Sequence, residues 1–164
     1  MRDKVPSPGV GARRSAQPLG VKDMPTQATR PKYEASFTFR GFSLAPQEVE
    51  ALVGLQATLG GAAGALDRGS KSPLKRSFVQ WSVEFPESAR MNEMIVFLIE
   101  KLGGFEHIAS VAQRVSPEAT EFDLTLRVKD SEEQEGGFIE AGTIAGLARM
   151  SATLSVGICR RVDA

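Results

Sequence analysis

Tyr33-Glu34-Ala35-Ser36-Phe37-Thr38-Phe39-Arg40-Gly41-Phe42, running on through Ser43-Leu44-Ala45-Pro46-Gln47-Glu48-Val49 to Leu55, is the stretch on which the fold turns. Tyr33, Ala35, Phe37 and Phe39 alternate with Glu34, Ser36, Thr38 and Arg40, the period-2 signature of a strand with one buried face. Pro46 then suits the first position of a helix, Glu48 the third, and Leu44 can staple onto Val49. Ala45 has no side-chain acceptor for a cap, which leaves Ser43 as the alternative. The same features return further along. Ser36–Arg40 is echoed by Asp123–Arg127, Gly41-Phe42 by Gly137-Phe138, and Val49, Leu52 and Leu55 by Ile144, Leu147 and Met150. Ala57-Thr58-Leu59 likewise returns as Ala152-Thr153-Leu154. The chain is thus expected to use one strand–turn–helix unit twice.

Outward from this unit, Gln56–Ser77 shows no period, and Gly60, Gly61, Gly64 and Gly69 mark it as a long loop. Phe78–Phe85 alternates Val79, Trp81, Val83 and Phe85 with Gln80, Ser82 and Glu84, a second strand ended by Pro86. After Ser88 as the expected cap, Met91, Met94, Ile95, Leu98, Ile99 and Leu102 recur at helical spacing until Gly103-Gly104. A shorter helix is predicted over Phe105–Gln113, a strand over Glu121–Val128, an acidic loop over Lys129–Gly136, a helix over Ala141–Met150 and a strand over Ala152–Arg160. The last strand should point Ala152, Leu154, Val156 and Ile158 inward. The predicted class is α+β: a four-stranded, mainly antiparallel sheet with helices on one face, its two β-α-β halves forming a ferredoxin-like arrangement.

Length limits the chain to one core, because dividing 164 residues between two would leave each with too little apolar surface to bury. The formal charge of zero conceals a division. Residues 1–32 hold seven Lys/Arg against two Asp, together with five prolines and no apolar period, and read as a disordered basic tail. The remainder, taken as a single domain over 33–162, is mildly acidic, which argues against nucleic acid as its partner. Cys159 is the only cysteine and His107 the only histidine, so there is neither an internal disulfide nor a Cys/His zinc set. The longest apolar runs fall short of a membrane span, and no secretory apolar region opens the chain, so a cytoplasmic protein is expected.

Phe37-Thr38-Phe39-Arg40-Gly41, Ala45-Pro46-Gln47-Glu48-Val49, Val53-Gly54-Leu55-Gln56-Ala57-Thr58 and, beyond a glycine-bearing basic loop, Trp81-Ser82 resemble the bacterial domain of unknown function 4279 family. The similarity spans Tyr33 to Arg161. It departs at Ala57, where the family pattern has proline, and in the longer loop. The resemblance implies this fold and a bacterial or phage origin, and carries over no catalytic residue.

Candidate sites follow from residue type and spacing. Gly64-Ala65-Leu66-Asp67-Arg68-Gly69-Ser70-Lys71-Ser72 comes within one inserted residue of a phosphate-cradling loop, but Pro73 stands where the helix should begin and no strand precedes it. Cys159 and His107 fall on opposite sides of the predicted sheet and form no nucleophile–base pair. No catalytic, cofactor-binding or metal-binding residue is therefore predicted. Trp81, Phe37, Phe39 and Phe122 belong to the core. What remains is the polar sheet face, where Arg40, Arg127, Glu84 and Thr125 are the candidate partner-binding residues, and the loop residues Arg68, Lys71, Lys75 and Arg76. The expectation is a non-enzymatic protein-binding module of a bacterial or phage accessory system, of the kind an immunity protein represents. The alternative is a small-molecule or nucleotide sensor built on the loop 60–76.

Overall fold

The computed structural model describes residues 33–66, 72–127 and 137–159, together with the backbone but not the side chain of Arg127. The expected tail 1–32, the loop residues Arg68 and Lys71, the acidic stretch 129–136 and residues 160–162 lie outside these. Nine elements follow one another: β1 (Tyr33–Arg40), α1 (Pro46–Val53), β2 (Leu59–Gly61), β3 (Phe78–Phe85), α2 (Met91–Lys101), α3 (Phe105–Val115), β4 (Ala119–Arg127), α4 (Ala141–Arg149) and β5 (Ala152–Cys159). They make an α+β fold with one mixed five-stranded sheet in the order β2-β3-β1-β4-β5. Among the described residues no helix is long and apolar enough to cross a membrane.

β1 lies at the centre because its alternation is the most complete. Ala35, Phe37 and Phe39 are fully buried on one face, where they meet Val79 and Trp81 of β3 and Phe122 and Leu124 of β4. All four helices turn apolar residues into this same cluster, among them Val49 of α1, Leu98 of α2, Ile108 of α3 and Leu147 of α4. The helix layer therefore covers one face of the sheet. Trp81, only 2% exposed, packs beside Phe37 and Phe39, and its indole N–H donates to the Leu55 carbonyl at 3.0 Å. That bond satisfies the one polar group such burial would otherwise leave unpaired.

Local chemistry sets the helix ends. Ala45 precedes α1 without a cap of its own, and the Glu48 carboxylate instead accepts the Ala45 backbone N–H at 2.7 Å. Glu93 does the same for Arg90 ahead of α2, so the start falls two residues past Ser88. Each acidic side chain also favours the positive end of its helix. α3 outlasts the predicted Gln113 by two residues and closes at Ser116 in the left-handed region.

Two features of the sheet, its strand number and its strand order, differ from the sequence expectation. The sheet has five strands rather than four, since Leu59, Gly60 and Gly61 pair with Gln80, Val79 and Phe78 within the supposed loop. Glycine reads as a loop signal, yet here it permits close packing: a Cβ on Gly61 would overlap the Leu74 side chain. The sheet is mainly antiparallel, as expected, and β4 and β5, which run parallel over eight residue pairs, make it mixed. The strand order also differs from the two matched halves of a ferredoxin-like repeat. β1 and β3 are antiparallel neighbours, whereas β4 and β5 are parallel ones. The reason is the number of reversals: after α1 the chain inserts β2 before entering β3, while after α4 it turns through Met150 and Ser151 directly into β5.

The helix seams do not repeat either. Val49 is fully buried, but Ile144, its sequence counterpart, is 54% exposed. In α4 the inward positions are Thr143, Gly146 and Leu147, and a Cβ on Gly146 would overlap the Phe105 ring of α3. Close approach of the two helices thus rotates α4 away from the seam that its apolar residues suggest.

Candidate functional site

Even-numbered residues of β1 and β3 and odd-numbered residues of β4 project to the face that the helices leave open. Cross-strand register arranges them in rows: Phe78, Arg40 and Ala119; Gln80, Thr38 and Glu121; Ser82, Ser36 and Asp123; Glu84, Glu34 and Thr125. β5 extends three of the rows through Thr153, Ser155 and Gly157. The middle of the face is less solvated than alternation implies. Thr38 and Ser36 are buried, because the longer side chains of the flanking strands close over the central one.

The candidate residues separate in this frame. Arg40 stands at one end of the face, where its Nε donates to Glu121 Oε2 at 2.6 Å and its guanidinium lies 5.8 Å from the centre of the Phe78 ring. Both partners hold it flat against the sheet. Position 127 stands at the other end, since the register that sets Arg40 against Ala119 leaves Arg127 eight residues further along β4, about 26 Å away. The two arginines occupy the same end of their own strands, but those strands are antiparallel, so they do not form one site.

Glu84 and Thr125 are brought together. They flank Glu34 on its two sides in a single row, with Asp123 one row in. Among the described residues none of Glu34, Glu84 and Asp123 makes an ion pair, while Arg40 is already committed to Glu121. Among the described side chains this end of the face therefore carries negative charge without an ion-pair partner, and position 127 stands one row further out. Glu34 and Asp123 were visible on the polar face in the sequence, but no sequence signal singled them out. Only the pairing register places Glu34 directly against Glu84.

The loop residues are scattered in function. Arg68 and Lys71 lie outside the described residues, Lys75 is exposed, and Arg76 Nε bonds Glu118 Oε2 at 2.8 Å. The described flanks of the glycine-rich stretch pair as a hairpin stem: Gly64 N–H reaches the Leu74 carbonyl at 2.8 Å, Leu74 N–H reaches Ala65 at 2.8 Å, and Leu66 bridges Pro73. A strand–loop–helix phosphate cradle has a different shape. A cleft of about 330 Å³ lies elsewhere, at the starts of β4 and β5, lined by Ser116, Glu118, Arg149 and Ser151 among others. It takes no residue from 60–76. His107 and Cys159 stay apart as well: His107 Nε2 sits 3.2 Å from the Val53 carbonyl in the helix layer, and Cys159 is opposite Arg127 on the open side. Among the described residues no group of three or more His, Cys, Asp and Glu is placed to hold a metal ion.

The domain of unknown function 4279 (DUF4279) family model matches residues 31–159, and the chain belongs to that family. No curated protein and no solved structure matches it.

Proposed function

We propose that this domain is a non-catalytic binding module that engages a partner protein through the open sheet face, at the acidic end formed by Glu34, Glu84, Asp123 and the Thr125 hydroxyl. The observation that supports this reading is the direct opposition of Glu34 and Glu84 across β1 and β3. Like charges directly opposite one another destabilise a sheet. Neither carboxylate recovers that cost from a cation among the described residues. A partner presenting Lys or Arg would convert the repulsion into attraction and gain charge-assisted hydrogen bonds. The flat shape suits a protein surface more than a small molecule, which prefers an enclosed site. Capture and neutralisation of a basic partner, in the manner of an immunity protein, is the role such a face fits.

The test uses a decalysine peptide as a probe of the acidic end, titrated calorimetrically at low salt. The wild-type chain should bind, and Glu34→Gln with Glu84→Gln should weaken binding by about tenfold, equivalent to 1.4 kcal/mol. Equal affinity in the double variant would place the cation site elsewhere and overturn the assignment.

A further inference from the structure

The two edges of the sheet are not equally protected. A strand edge presents unpaired backbone N–H and C=O groups, and folded proteins blunt it by keeping the strand short or by adding charge, proline or a bulge. β2, at one edge, has three residues and is protected by brevity. β5, at the other, has eight, Ala152-Thr153-Leu154-Ser155-Val156-Gly157-Ile158-Cys159, with no charge and no proline. Its pairing with β4 is continuous, with no bulge to turn the outer edge away.

The side chains point the same way. α4 crosses back over β5 but covers it incompletely, so Val156 is 45% and Ile158 63% exposed on the helix side of the sheet. Both were expected inward, and they do face inward; among the described residues no strand lies beyond them. Among the described residues nothing requires glycine at 157. A Cβ there would meet only the Leu124 carbonyl, at an ordinary 3.7 Å. Glycine inside a strand weakens it and often marks a place where another backbone comes close.

From these observations we infer that β5 is a dimerisation edge, on which β5 of a second copy adds antiparallel so that two sheets become one. The partner is identified by self-complementarity. A two-fold axis through Val156 sets Val156 against its own copy and Leu154 against Ile158 of the other chain. Any register that keeps both helix layers on one side pairs even positions with even and odd with odd. Apolar residues then meet apolar ones, and Thr153, Ser155, Gly157 and Cys159 meet one another on the open face. With no charge within either strand, no like-charge repulsion arises between the paired residues 152–159. An unrelated strand could satisfy the backbone, but only a copy of this one is certain to match both faces at once.

Sedimentation equilibrium of the full chain decides the matter. The wild type should be a dimer at micromolar concentration, and Val156→Lys, which faces a lysine against a lysine, should raise the dissociation constant by about a hundredfold. The near-ultraviolet signal of Trp81 checks that the variant is folded. Should the lysine unfold the chain, Ile158→Thr gives the same test more gently, with about a tenfold weakening expected. A monomeric wild type overturns the proposal, as does a folded Val156→Lys or Ile158→Thr protein that dimerises with unchanged affinity. Glu34→Gln with Glu84→Gln should leave the dimer intact, which separates this edge from the acidic face.

Discussion

The passage from β1 through α1 to β3 and the passage from β4 through α4 to β5 draw on similar stretches of sequence, yet the first returns antiparallel and the second parallel. They also differ in how well they are covered. β1 and β3 carry the large buried side chains Phe37, Phe39 and Trp81 together with Val79, with α1 and α2 closing over them. β5 has Val156 and Ile158 open to solvent, with α4 the helix that packs on it most closely. Matching apolar positions does not ensure matching environments, because a strand inside the sheet gains neighbours on both sides and an edge strand on one. Stability should therefore concentrate in the first passage, and interaction in the second.

The largest expected effect tests that concentration directly. Trp81→Ala removes the indole from a site 2% exposed, together with its bond to Leu55, and should destabilise the domain by about 3–5 kcal/mol. Urea unfolding followed by circular dichroism measures it. Val156→Ala, at the other end of the comparison, should move the same curve by less than about 0.5 kcal/mol when both proteins are diluted until they are monomeric, since Val156 is then a surface residue. If the two costs were similar, the second passage would be as much a part of the core as the first.

A smaller effect is expected where the two passages differ in their helices. Gly146 lets α4 approach Phe105 of α3, and Gly146→Leu should cost about 1–3 kcal/mol through overpacking. A double variant with Phe105→Ala should recover part of the loss, since the added side chain then occupies the space of the ring it displaced. Full additivity of the two substitutions in unfolding experiments would show that the helices do not meet through this pair.

Much of this fold was legible from alternation alone. β1 and β3 begin and end where their patterns do, β5 begins at its predicted start, and the four helices fall on the segments that show a helical period, although α4 turns Thr143 and Gly146 inward in place of Ile144. Each of these signals is local. β2 escaped because three residues, two of them glycine, carry no alternation to read. The direction of β3 escaped because it depends on how often the chain reverses before pairing, and β2 supplies the extra reversal, whereas the parallel run of β4 and β5 is what a β-α-β unit gives. On the open face, residue types were legible and their grouping was not. Arg40 and Arg127 seemed equivalent from their place in the repeat, whereas register joins Glu34 to Glu84 and Thr125 instead.

Arg40 supplies the finest test, because it lies on the proposed binding face but at the end away from the acidic row. Its side chain is 43% exposed and its partner Glu121 33%, so water screens much of their attraction. An ion pair of this kind contributes about 0.2–1 kcal/mol, and contact with an exposed aromatic ring about 0.5–1 kcal/mol. Sharing one guanidinium, the two contributions do not simply add, and Arg40→Ala should cost about 1 kcal/mol at most. Its effect on the probe distinguishes the two ends of the sheet. Removing a cation some rows away from Glu34 and Glu84 frees the Glu121 carboxylate without disturbing the acidic row, so decalysine affinity at moderate salt should stay within about twofold, distant charges being screened. A loss of about tenfold on Arg40→Ala would mean that the face binds as one surface, with Arg40 and Glu121 as working members of it.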